Sequence, residues 1–159
     1  AGRTKESFLR FLSGTSEDEL KSMVKSFYKE KLESILYEDG IKAIKDFKEK
    51  GYKIYLISAS PEFYVNEFYN IKEVDKVIGT KFQMNDGKFS CKISGENCKG
   101  EEKVKRLMEE LKKDNIEVDF KNSYMFSDSL SDLPLLKLVG KGYLINYRKN
   151  HELEILRWR

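Results

Sequence analysis

Residues 122–135 read Asn-Ser-Tyr-Met-Phe-Ser-Asp-Ser-Leu-Ser-Asp-Leu-Pro-Leu. Tyr124, Met125 and Phe126 form an apolar run short enough for a buried strand. The polarity then changes abruptly. Ser127, Asp128, Ser129, Ser131 and Asp132 fall within six positions, and Leu133, Leu135, Leu136 and Leu138 follow as a helix-like run. A strand that ends in two carboxylates ahead of a helix sets negative charge at the carboxyl end of the strand, where α/β proteins bind ligands. Asp128 falls at the strand end, and Asp132 in the first helical turn, turned back toward it. Two such carboxylates repel unless a cation or a basic side chain neutralises them. A hard divalent cation with oxygen ligands, Mg2+ above all, suits them. The same spacing also suits capping, with Asp128 or Ser129 as the cap and Asp132 set against the helix dipole. Spacing alone leaves both readings open.

Around this stretch, the 159 residues suit one domain with room for a core. They are 40% hydrophobic and 36% charged with a net charge of +3, too small and too evenly spread to point to nucleic acid. No apolar run approaches the ~20 residues of a membrane span, and no signal peptide is legible. Cys91 and Cys98 make neither a secreted disulfide framework nor a metal site. Both read as reduced thiols of a cytoplasmic protein. His151 stands alone and reads as surface or packing.

Residues 4–36 read as helical. Phe8, Leu9, Phe11 and Leu12 form one apolar face, and Gly14 breaks the run. Ser16 and Glu19 have the spacing of a capping box. Leu20, Met23, Val24, Phe27, Tyr28, Leu32, Ile35 and Leu36 then recur at helical spacing, as core or as a lid. Ile41, Ala43, Ile44 and Phe47 give a short helix that Gly51 stops. Tyr52–Ile57 is a strand, followed by Ser58-Ala59-Ser60-Pro61, with Ser60 as the cap and Pro61 in the first turn of a helix over 62–70. Ser58 is then left without a structural role, at a helix N-terminus suited to an anion. A further small strand lies within 74–80, and Asn85-Asp86-Gly87 turns an inserted hairpin. Lys99 precedes a helix over 101–113, whose Val104, Leu107, Met108 and Leu111 face inward. Lys99 could reach a bound phosphate or the carboxylates, or simply be a surface lysine. A last strand spans 143–146, and the tail from Arg148 is unassigned. The alternation over 39–146 makes the fold class α/β with a mostly parallel sheet.

Three of these runs, in this order, resemble motifs of the haloacid dehalogenase-like hydrolases, closest to the subgroup around phosphoserine phosphatase. They are Ile57–Phe63, Gly95–Lys103 and Ser127–Asp132. The resemblance implies a Rossmann-like three-layer sandwich over 38–159, with residues 1–37 as the remnant of a helical cap. It implies a Mg2+-dependent phosphatase acting on a small phosphorylated substrate through an aspartyl-phosphate. Ser58 and the backbone at Ala59 would hold the phosphoryl group, with Ser131 beside it. Lys99 would neutralise the phosphate and the nucleophile. Asp128 would ligate the metal, and Asp132 would hold the metal site or the lysine. These roles fit phosphoryl transfer, which needs positioning and charge neutralisation above all.

One element of the family pattern is absent. No Asp-x-Asp-x-Thr occurs, although that motif supplies the nucleophile at the end of a strand between those of Ser58 and Asp128. The expectation is a piece of a longer protein, inactive alone, that lacks its first strand. A non-catalytic phosphate- or metal-binding module is the alternative. A receiver-like signalling domain fits less well, because here the Ser-bearing strand precedes the Asp-bearing one.

Overall fold

The computed structural model describes Gly2, Lys5, Glu6 and residues 9–159, apart from the side chains of Leu32 and Ile35. Those two side chains and Phe8, all expected on apolar faces, lie outside the described residues. The fold is α/β. Its contacts group into two units, one reaching to Leu36 and including Ile41–Cys98, the other comprising Tyr37–Gly40 and Lys99–Arg159.

In the first unit, α1 (Glu17–Phe27) opens with the expected capping box. The Glu19 N–H donates to Ser16 Oγ at 3.2 Å, and the Ser16 N–H to Glu19 Oε2 at 3.4 Å. The helix buries Leu20 and Val24, whereas Met23 and Phe27, which share the expected apolar pattern, are 50% and 45% exposed. Helix α2 (Glu38–Glu49), whose residues from Ile41 on belong to this unit, ends before Gly51, whose φ of +87° suits glycine. Strand β1 (Tyr55–Pro61) runs parallel to β2 (Lys76–Thr80), with the short α3 (Glu62–Val65) after β1. The hairpin of β3 (Phe82–Asn85) and β4 (Lys88–Ile93) turns through Asp86 and Gly87, both at positive φ, as a two-residue turn of this kind requires. Leu12, Leu20, Phe89 and Cys91 form one core cluster, and Val65, Val74 and Val77 another.

Strand β1 begins at Tyr55 rather than Tyr52 and runs on past Ile57 to Pro61, and its end is irregular. Tyr55, Leu56 and Ile57 pair with Lys76, Val77 and Ile78, but the next partners are Pro61 and Thr80. Ser58, Ala59 and Ser60 therefore face Gly79 alone. A Cβ at Gly79 would lie 2.9 Å from the Ser60 carbonyl oxygen and 2.7 Å from Val65, so only glycine allows the bulge to close so tightly.

In the second unit, α4 (Glu101–Lys113) has the bounds that periodicity predicts. Strands β5 (Tyr124–Ser127), β6 (Lys141–Ile145) and β7 (Glu154–Leu156) pair in parallel in that order, with α5 (Leu133–Leu138) between β5 and β6. Strand β7 belongs to the tail that had no assignment. Past it, Trp158 packs on Phe126 with ring centroids 5.2 Å apart. The side chain of Asn146 bonds both backbone groups of Trp158, at 3.0 and 3.1 Å. Among the described residues, β1 pairs only with β2, and β5 only with β6.

Candidate active site

The candidate site residues fall in both units. In the second unit the carboxyl end of β5 delivers Ser127 and Asp128. A single turn, Leu130–Asp132, then leads into α5. The cap of this turn is Ser129, whose Oγ accepts from the Ser131 N–H at 3.2 Å and lies 2.8 Å from Ser131 Oγ. Capping therefore does not account for either aspartate. Asp132 stands at the start of α5 with no side-chain cap bond. Asp128 is exposed, and its carboxylate has no hydrogen bond or ion pair among the described residues.

Asp132 is buried, 7% exposed. Its Oδ2 accepts from Ser127 Oγ at 2.6 Å, and its Oδ1 lies 2.6 Å from Lys103 Nζ. The latter is an ion contact rather than a well-directed hydrogen bond, because the Oδ1 approach is off-line. Lys103 is itself only 6% exposed. A carboxylate and an ammonium can stay buried together because each removes the other's cost of leaving water. The lysine that meets Asp132 is thus Lys103. Lys99, expected in that role, is exposed at the approach to α4 and has no ion pair among the described residues. Its neighbour Gly100 comes near the turn that carries Ser131, 3.9 Å from that residue's carbonyl oxygen to the Cβ position of Gly100.

Periodicity does not reveal Lys103. It lies in the run Gly95–Lys103, but a charged residue on an amphipathic helix reads as solvated. The inward face of α4 holds Lys103, Arg106 and Leu111, whereas Met108 is 38% exposed and Val104 and Leu107 are half-buried. The available signal was the spacing of 103, 107 and 111 down one face.

In the first unit, Ser58 and Ala59 are half-buried in the β1 bulge. Ser58 does have a structural role, because its Oγ accepts from the Ser60 N–H at 3.0 Å. Ser60 does not cap α3. Pro61 holds that position, with no side-chain bond. The Ala59 carbonyl accepts from Thr80 Oγ1 at 2.7 Å and from the Lys5 ammonium. Thr80, fully buried, also accepts from the Cys98 N–H at 3.0 Å.

For a hard cation, Asp128 fits as one oxygen ligand, since its carboxylate is exposed and not engaged by other described residues. Asp132, with both oxygens engaged, fits as a support rather than a ligand. No group of three His, Cys, Asp or Glu residues that could hold a metal occurs among the described residues.

Known proteins resemble this chain in sequence and in fold. The family model described as haloacid dehalogenase-like hydrolase matches residues 1–137. Protein CicA of Caulobacter vibrioides is 28% identical over 147 residues, spanning 91% of this chain and 64% of its own length. Phosphoserine phosphatase SerB1 of Mycobacterium tuberculosis is 26% identical over 146 residues, 92% of this chain and 46% of its own. The chain thus spans less than two thirds of either. In fold, the crystal structure of a protein of unknown function from Bordetella pertussis Tohama I aligns with a TM-score of 0.88 at 23% identity, covering 98% of this chain and 74% of that one.

Proposed function

The chain belongs to the haloacid dehalogenase-like hydrolases, and from that premise we propose that it serves a Mg2+-dependent phosphomonoester hydrolase. The reaction runs through an aspartyl-phosphate, and the nucleophilic carboxylate comes from outside these 159 residues, which hold no Asp-x-Asp-x-Thr. The observation that carries this reading is the end of β5. There an exposed carboxylate, Asp128, stands four residues before a buried one, Asp132, that Lys103 already pairs and Ser127 hydrogen-bonds.

The arrangement supports a division of labour. Asp132 and Lys103 form a fixed polar base beneath the turn Leu130–Asp132, so that Asp128 is held at the strand end without being neutralised. Asp128 would hold Mg2+, which when bound would draw charge from the phosphoryl oxygens. Ser58 and the Ala59 N–H bind those oxygens from the bulge of β1, and Ser131 adds a hydroxyl. Lys99, exposed on its loop, neutralises the phosphate and the attacking carboxylate. Preorganised charge of this kind is most of what phosphoryl transfer asks of a protein. The substrate is a small phosphorylated molecule, a class supported by the name of SerB1.

Rapid acid quenching of the full-length gene product during turnover of a radiolabelled phosphomonoester tests the mechanism. Covalent label that hydroxylamine releases is expected. Turnover without any such label would remove the aspartyl-phosphate from the mechanism.

A further inference from the structure

We propose that Thr80 is a positioning residue for phosphoryl transfer, fixing the bulge of Ser58 and Ala59 and the backbone that leads to Lys99. The proposal rests on the phosphatase reading above and concerns a residue with no place in its chemistry.

Thr80 ends β2, completely buried. Its hydroxyl has one proton to give and can also accept. It donates to the Ala59 carbonyl at 2.7 Å and accepts from the Cys98 N–H at 3.0 Å. Asn97 Oδ1 lies 3.2 Å away. One side chain thus ties two segments that are far apart in sequence. The first is the irregular end of β1, where Ser58, Ala59 and Ser60 stand opposite Gly79 alone. The second is the loop residue immediately before Lys99. Pinning the Ala59 carbonyl fixes the peptide plane on its far side, and with Gly79 closed against Ser60 it sets where Ser58 Oγ and the bulge amides point. Sub-ångström placement of such donors governs the rate of a transfer reaction.

The test compares Thr80→Val, which keeps shape and removes the hydroxyl, with Thr80→Ser, which keeps the hydroxyl, both in the full-length gene product. Two readouts are taken on each: kcat and KM for p-nitrophenyl phosphate, and amide hydrogen exchange at Cys98. Thr80→Val is expected to lower kcat about 10- to 100-fold with a smaller change in KM, and to speed Cys98 exchange at least tenfold. Thr80→Ser should restore both. An unchanged kcat in Thr80→Val, with the Cys98 amide shown to be released, overturns the proposal. So does a Thr80→Ser that is folded yet as slow as Thr80→Val. A wild-type protein that turns over no phosphomonoester refutes the phosphatase reading. Protection of Cys98 that does not depend on the Thr80 hydroxyl refutes the positioning role separately.

Discussion

Lys103 and Asp132 form the buried ion pair behind the second unit's candidate site residues. Both are buried, and each offsets the other's cost of leaving water. Lys103→Met should cost about 3–5 kcal/mol by leaving Asp132 without its partner. The double variant Lys103→Met/Asp132→Leu should recover most of that loss, because it removes both buried charges. Denaturant midpoints at constant m-value measure this. A single variant costing less than about 0.5 kcal/mol would place the pair in water. The contrast with Asp128 is physical. The sequence shows two aspartates four apart and cannot tell which one faces solvent, because burial is decided by what packs on the turn. The motif was legible. The lysine that completes it was not read from the sequence, since a charged residue on an amphipathic helix reads as solvated.

At the scale of elements, strong periodicity and turn chemistry were legible, and irregular backbone was not. Helix α4 and the Asp86-Gly87 hairpin follow from spacing and positive-φ residues. The bulge of β1 was hidden because it depends on a long-range partner, Gly79, and it gives Ser58 a backbone bond that local sequence does not suggest. Strand β7 was hidden because its three residues, in a charged tail, are held in the sheet by pairing with the distant β6. Asp75 joins elements at the start of β1 and β2. It accepts from Lys48 at 2.6 Å and from the Ile54 N–H at 2.7 Å. Burial pushes its carboxyl up, but those two bonds, with the charges of Lys48 and Lys53, outweigh burial and hold it below the ordinary carboxylate range. A depressed folded value means stability that is present above the unfolded value and lost as pH falls through the folded one. Asp75→Asn should therefore be less stable than wild type at neutral pH, and the gap should close below pH ~4. Chemical denaturation across that range checks it. A gap independent of pH would mean that the carboxylate charge contributes nothing.

At the scale of the molecule, the chain presents two groups of site residues in two units. The bulge proposed to bind phosphate lies in one, and Lys99, Asp128 and the Lys103–Asp132 pair in the other. No helix among the described residues is long and apolar enough to cross a membrane. Fold class was legible because helices and strands alternate along 39–146. The grouping into units was not, because the segment Tyr37–Gly40 joins the distant tail through backbone and side-chain bonds between Asp39 and Arg159. Everything proposed for the site turns on exposed Asp128 serving Mg2+-dependent phosphomonoester hydrolysis. The direct check is p-nitrophenyl phosphate turnover by the full-length gene product, with Mg2+ and with chelator, for wild type and Asp128→Asn. Turnover should require Mg2+ and fall at least about 100-fold in the variant, with thermal stability unchanged because Asp128 is exposed. Turnover that persists in chelator, or that Asp128→Asn leaves intact, would refute that role.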